Sequence, residues 1–551
     1  MMAMLGAWHF QKCQAPGSEA RVMAEEETHE GPGLARAAGI IALGNVASRI
    51  LGLARETVIA HLFGATGLVS AYRVASIVPT MLYDLLIGGM VSSALVPVFS
   101  EYSSSERREE LWRIASLMLS LTAVVLAGVA FLLEISTPQV AWLLGGGFEA
   151  EHPELLAETA RLMRLTVPGV IFLGLSGIIT GLLYALKRFT YPAFTVAVFN
   201  AGIVAFSVLL AGQLGIASVA LGLLAGAAFQ VAIQLVGLRD MRFTFSLDIF
   251  HPGLGRILAL YLPIALGLVI SQVQVALDRN LASRTGPQSI AWMQNATTLI
   301  QFPHGLVAVA ISLAVLPSLS GFSARADWEG YGQTLGAGLR MVLVLIFPAT
   351  VGLFILARPI VALIFQHGEF KAYDTAQTAL ALRYYLPGLL FASVDWPLNY
   401  AFYARQNTWT PALVGVLSVG IYTAVALALI RPLGMVGLVI ADSAKHTGHA
   451  LTMLFLTWRW MGLPGGKKLA ETTFKALLAS AAMGGAVWVL AGSVEGFFNA
   501  ESFLVWLAVV GAAGGAGFAF YGAFISLLGV EEMAALMKRS RRFLKWTGKS
   551  S

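Results

Sequence analysis

Arg49 and Arg55 lie in the stretch "SRILGLARETVIAHLFGA" (48–65), inside an otherwise apolar run. A charge at the centre of a bilayer costs roughly 2.5–3.5 kcal/mol on insertion scales, so such residues face a bundle interior or a wet cavity. On a helix, positions seven apart lie about 20° from each other. Ser48 and Arg55 therefore share a face, with Asn45, Arg49 and Glu56 as the neighbouring stripe. This span offers no acid to neutralise both arginines, and spare guanidinium forks suit phosphate. Arg73, Thr80 and Asp84 share a face in the next run. Further on, Arg279 and Asn280 stand beside Ser271, Gln274 and Asp278, and "WMQNATTLIQFP" adds Gln294, Asn295, Thr298 and Gln301. Together these residues would line one central cavity. For Glu56, Arg73 and Arg279, mutual neutralisation is an equally good reading.

A second chemistry is ion coupling. Asp278, with the oxygen donors Ser271 and Gln274 beside it, suits a hard cation, and Asp442 and Ser443 in "GLVIADSAKHTGHALTM" would face it. The competing readings are that Asp278 neutralises Arg279 and that Asp442 pairs with Lys445 at i,i+3. The coupling ion would be sodium or a proton. His446 and His449 have metal-like spacing but no companion ligands, so no metal beyond a sodium site is expected, and no cofactor. There is no Walker A sequence, which excludes an ATP motor in this chain.

The elements that must position these residues are apolar runs. The chain has 551 residues, 57% hydrophobic and 12% charged, against about 25% charged in a soluble domain. The runs reach about 20 residues or more, the length that spans a bilayer as a helix, and lack the short alternation of a barrel. The expected fold is an all-α polytopic membrane protein of about fourteen transmembrane helices. The single cysteine, Cys13, excludes an intrachain disulfide framework. Net charge is +6. The basic residues fall in alternate short connections, which reads as membrane orientation with both termini cytoplasmic, not as nucleic-acid binding. The opposite connections are poorer in basic residues, and one, "GGGFEAEHPE", is acidic.

The chain also repeats itself. Pro168, Gly169, Tyr184, Ala185 and Pro192 recur as Pro387, Gly388, Tyr403, Ala404 and Pro411, and Pro97 matches Pro317. A shift of six helices keeps the halves parallel, a transporter architecture with substrate between the lobes. The expected organisation is a disordered cytoplasmic tail (1–35), an N-lobe (36–240), a C-lobe (250–460), two further spans (470–530) and a basic cytoplasmic tail (531–551).

"SRILGLARE" with "FGA", "LVPVFSEY", "LPSLS", "FQHGEF" and "FYARQNTWTP" together resemble the MurJ (MviN) lipid II flippase family of the MOP superfamily, over about residues 36–530. The resemblance implies fourteen helices in a V-shaped pair of lobes, residence in the bacterial inner membrane, and export of an undecaprenyl-pyrophosphate-linked peptidoglycan precursor. The first-helix arginines of that family match Arg49 and Arg55, which would hold the pyrophosphate. Its cavity arginines in helices two and eight fall on Tyr83 and Thr298, where this chain departs from the pattern; Arg73 and Arg279 would supply charge instead. Some family members resemble sodium-coupled carriers, with a site among helices seven, eleven and twelve; span eleven here has no Asn or Asp. Alternatives are a flippase for another lipid-linked oligosaccharide, an ion-coupled drug or small-solute antiporter, and a non-transporting scaffold. An antiporter of organic cations calls for an acidic cavity, and a scaffold does not need cavity charges.

Overall fold

A computed structural model describes residues 31–462, 464–498 and 502–533. Cys13, most of the expected N-terminal tail and nearly all of the basic C-terminal tail lie outside them. Fourteen long helical segments follow one another in these residues. They are α1 (Gly31–Phe63), α2 (Gly67–Tyr83, extended by π turns Asp84–Gly88 and Val91–Leu95 into Val96–Glu101), α3 (Arg108–Ile135), α4 (Pro153–Thr166 and Gly169–Ala185), α5 (Thr190–Leu214), α6 (Ala217–Val236) and α7 (Pro252–Ser283). Then come α8 (Ser289–Pro303, a π turn His304–Val309, then Ala310–Ala324), α9 (Trp328–Ile355), α10 (Ala372–Ala404), α11 (Trp409–Leu433), α12 (Met435–Met461), α13 (Lys467–Phe498) and α14 (Phe503–Leu527).

Among the described residues, eight helices are long and apolar enough to cross a membrane, or nine with α4 counted as one bent span. The other long helices are α1, α2, α7, α10 and α12. They carry Arg49, Arg55 and Glu56; Arg73 and Asp84; Asp278 and Arg279; Arg383 and Asp395; and Asp442 and Lys445. Apolarity thus fails where a helix faces other helices or water instead of lipid. Large apolar side chains such as Leu209, Trp488, Leu504 and Phe518 are exposed on the outer surface, as a lipid-facing belt requires.

The repeat is visible in the backbone. Lys187, after α4, and Gln406, after α10, both adopt positive φ, at 57° and 60°. Gly215 closes α5 at φ 54° and Gly434 closes α11 at φ 55°. These are corresponding positions in the two parallel halves. α1 packs on α5, α5 on α6 and α2 on α4 in the first half; α10 packs on α12, α11 on α12 and α9 on α10 in the second. α13 and α14 pack on each other, and α13 also on α9.

Proline has different effects in the two halves. Val167 and Pro168 divide α4, whose two pieces bend by 42°. The matching Pro387 leaves α10 continuous. Ser443 of α12 accounts for the difference: its hydroxyl donates to the Tyr384 carbonyl at 2.6 Å and accepts from the Gly388 amide at 3.2 Å. It spans the place of one i→i−4 bond and re-satisfies the backbone there. A Cβ on Gly388 would come within 2.9 Å of Ser443 Cα, so this approach requires glycine.

The lobes meet at one end through the Glu369 amide on the His61 carbonyl (2.9 Å), the Gly147 amide on Ser283 Oγ (2.9 Å) and the Ala291 amide on Ser70 Oγ (3.3 Å). At the other end Arg256 pairs with Glu101 at 2.5 Å.

Candidate functional site: arginines between the lobes

α1 and α5 approach closely because Gly44 has no side chain; a Cβ there would fall 2.2 Å from the Ala193 carbonyl oxygen. This contact brings Asn200 of α5 to α1. Arg55 donates to Asn200 Oδ1 at 3.0 Å, and the Asn200 amide donates to the Ser48 carbonyl at 3.3 Å. The Ser48 hydroxyl turns back to the Gly44 carbonyl at 2.8 Å, and Asn45 is exposed.

Glu56 is the centre of this side of the site. Its side chain is fully buried, and it accepts from Arg55 at 2.6 and 3.1 Å and from both Nη nitrogens of Arg73. Span one therefore has an acid for Arg55, which the face arithmetic placed on a neighbouring stripe. Arg73, on α2, closes the second side of the carboxylate and is itself buried. Because two guanidinium groups share one carboxylate, the cluster retains one positive charge. Arg55 is its more accessible member, with a quarter of its side chain exposed against 8% for Arg73.

Arg49 reaches across the lobe boundary. Its Nη1 donates to the Gln301 carbonyl of α8 at 3.1 Å. Its guanidinium lies over Gly305 in the α8 π turn, in the space a Cβ would take. Two turns earlier on α8, Gln294 accepts from Arg279 of α7 at 3.3 Å through Oε1. Seven residues of helix place Gln294 and Gln301 about 10 Å apart on nearly one face. Neither Arg49 nor Arg279 pairs with a carboxylate among the described residues. Thr298 donates to the Gln294 carbonyl at 2.9 Å, which sets it one turn from the Arg279 contact. Thr80 bonds its own helix at the Ile77 carbonyl, and Asp84 is exposed at the start of the first π turn.

The residues expected to couple an ion are spread over separate contacts. Asp278 accepts from the Tyr422 hydroxyl of α11 at 2.6 Å, whereas Arg279's partner is on α8. Asp442 pairs with Lys445 at 2.6 Å and has His446 at 3.7 Å. Ser443 points into α10, as described above. Among the described residues no three His, Cys, Asp or Glu side chains gather as a metal site.

The face arithmetic did not single out Asn200, Gly305, Tyr422 or the pair Asp395–His449. The lone Asn in "AVFNAGIV" was a legible signal; so was Asp395 in "SVDWPLNYAF", four residues before Asn399.

Comparison with known proteins follows the same lines. The sequence profile of the family "Lipid II flippase MurJ" matches residues 59–509. A probable lipid II flippase MurJ from Haemophilus influenzae is 29% identical over 521 residues, covering 89% of this chain and 99% of that protein. A lipid II flippase MurJ from Burkholderia cenocepacia is 31% identical over 426 residues, covering 76% and 82%. A solved lipid II flippase MurJ in an inward closed conformation superposes with a TM-score of 0.74 at 25% identity, over 88% of this chain and 98% of that one. An inward-facing multidrug MATE transporter of the MOP superfamily shares the fold alone, with a TM-score of 0.62 at 14% identity, over 77% and 95%.

Proposed function

Because the chain belongs to the MurJ lipid II flippase family, and so is a multi-pass membrane transporter of lipid II, we propose that it carries lipid II by alternating access on three arginines. Arg49, Arg55 and Arg279 hold the pyrophosphate, while Arg73 serves with Glu56 as a fixed base. The observation that carries this reading is the division of labour at Glu56. Arg73 covers one side of the buried carboxylate and keeps it neutralised. Arg55 can then exchange a carboxylate oxygen for a phosphate oxygen without stranding a buried charge. Arg49 and Arg279 contribute cations from the other side, along α8, each now held only by neutral oxygen acceptors. Arg279 meets Gln294, one turn from Thr298, the position at which the resemblance implies an arginine, and so supplies the charge from α7.

The arginine-rich site argues against an exporter of organic cations, whose site must offer acids. The acids expected to take a coupling cation, Asp278 and Asp442, are each engaged by a donor of this chain. A cation there would first displace Tyr422 or Lys445. The basic connections, including Arg107, Arg188, Arg239 and Arg242, support both termini on the cytoplasmic side of the bacterial inner membrane.

The test is flipping of fluorescent lipid II in proteoliposomes, with complementation after depletion of the native flippase. Arg49→Ala, Arg55→Ala and Arg279→Ala should each lose transport while membrane insertion persists. Lys at these positions should restore part of it, since charge returns without the bidentate fork. Full activity in all three alanine variants would overturn the assignment.

A further inference from the structure

The second lobe contains an acid–base pair that phosphate binding does not use. Asp395 of α10 and His449 of α12 meet with Oδ1 2.8 Å from Nδ1, and each side chain is only 14% exposed. The Asn399 amide, one turn along α10, donates to the other oxygen, Asp395 Oδ2, at 2.7 Å. A carboxylate only accepts, so the imidazole donates from Nδ1 and leaves its Nε2 lone pair free. No hydrogen bond reaches that Nε2 among the described residues. A carboxylate fixed behind an imidazole stabilises the imidazolium that forms when the outer nitrogen takes a proton. Protonation changes the pair from a net −1 to neutral.

The location of the pair matters. His304, the first residue of the α8 π turn, places Nδ1 3.3 Å from Ser393 Oγ and packs its ring edge-on to Trp396, centroids 5.7 Å apart. Ser393 and Trp396 flank Asp395 on α10. The next residue of the turn, Gly305, is the one on which the Arg49 guanidinium rests. The other charged or titratable groups are accounted for. On α12, Lys445 holds Asp442, with His446 beside it. Asp278 on α7 is held by Tyr422 of α11, and Arg279 turns to α8. Tyr403 and Tyr385 on α10 border the region, toward Asp395 and Asp442 respectively.

We propose that Asp395 and His449 form a proton-binding dyad that sets how firmly Arg49 docks on α8. With the dyad unprotonated, its negative charge behind the π turn favours the Arg49 cation on the Gln301 carbonyl and holds α1 against α8. With the proton bound, that attraction is gone and the lobes part more readily. A proton thereby binds one conformation better than the other, which is what coupling requires. The inference rests on the flippase reading for its transport arm only.

Two measurements test it on the full chain in nanodiscs and proteoliposomes. Infrared difference spectra between acid and alkaline pH should show imidazole protonation. The chain has nine histidines, so the part of that signal belonging to the dyad is the component missing from the spectrum of His449→Gln and still present in that of His446→Gln. Lipid II flipping should rise as pH falls, approaching about tenfold per pH unit where proton uptake limits, and the pH profile should be flat in His449→Gln and Asp395→Asn. A wild-type pH profile retained in His449→Gln overturns the proposal, as does an infrared difference spectrum that the substitution leaves unchanged. If the wild-type chain moves no lipid II at any pH, the flippase reading fails, and the infrared titration still decides the dyad.

Discussion

Arg73 donates through both terminal nitrogens to the two oxygens of Glu56, a residue 17 positions earlier on the preceding helix. Both side chains are buried. Removing one partner from such a pair strands the other charge, at a cost of about 3–5 kcal/mol. Glu56→Gln and Arg73→Ala should therefore lower the unfolding midpoint of the purified protein. Arg55→Ala should lower it less, because Arg73 still neutralises Glu56, yet should abolish flipping. If Arg55→Ala is as unstable as Arg73→Ala, the two arginines are not divided in this way.

A second prediction concerns space. A Cβ at Gly305 would occupy the position of the Arg49 guanidinium, 2.0 Å from Nη2. Gly305→Ala should displace a flexible side-chain end and leave the fold intact. Transport should fall because Arg49 loses its place on α8. The double variant Gly305→Ala with Arg49→Ala should be no worse than Arg49→Ala alone, since residues sharing one contact are not additive. Additive loss would separate Gly305 from Arg49.

Orientation can be read by labelling. On a Cys13→Ser background, an impermeant thiol reagent applied to intact cells should modify Glu151→Cys and spare Arg107→Cys. Both native positions are exposed. The reverse pattern would invert the topology.

Acid should loosen one end of the α5–α6 hairpin. Arg188 donates to both oxygens of Asp240, at 2.6 and 2.8 Å, outside the spans. These hydrogen bonds hold the Asp240 carboxyl below its ordinary value. Its contribution is thus present above the unfolded carboxyl's pKa and is lost as pH falls through the lowered folded value. Arg188 is 37% exposed and Asp240 48%, so solvent screening keeps the contribution under about 1 kcal/mol. The stability gap between the wild type and Asp240→Asn should be measurable at neutral pH and close in acid. A gap that widens in acid would refute the assignment.

Much of this was legible in the sequence, for identifiable reasons. Run length and low charge gave the helices, because a bilayer permits few other spanning structures. The corresponding prolines and glycines gave the parallel halves, and corresponding positive-φ turns follow α4 at Lys187 and α10 at Gln406. Face arithmetic put Arg49 and Arg55 on adjoining stripes of α1, but it follows one helix at a time. It could not show that Arg73 would reach Glu56 from α2, or that Ser443 would be used to mend the backbone at Pro387. It also could not show that Asp278 and Arg279, adjacent in sequence, would turn to different helices. These outcomes depend on which neighbour arrives, and the neighbour is set by helix packing.

The π turns of α2 and α8 begin at Asp84 and His304, ahead of the matching prolines Pro97 and Pro317. Their presence in both halves puts the same wide turn at corresponding positions of the two lobes. The two turns differ in use. Asp84 is exposed at the head of its turn, whereas His304 and Gly305 meet α10 and Arg49. A break in helical regularity that both lobes share is thus, on one side only, the seat of a contact between them.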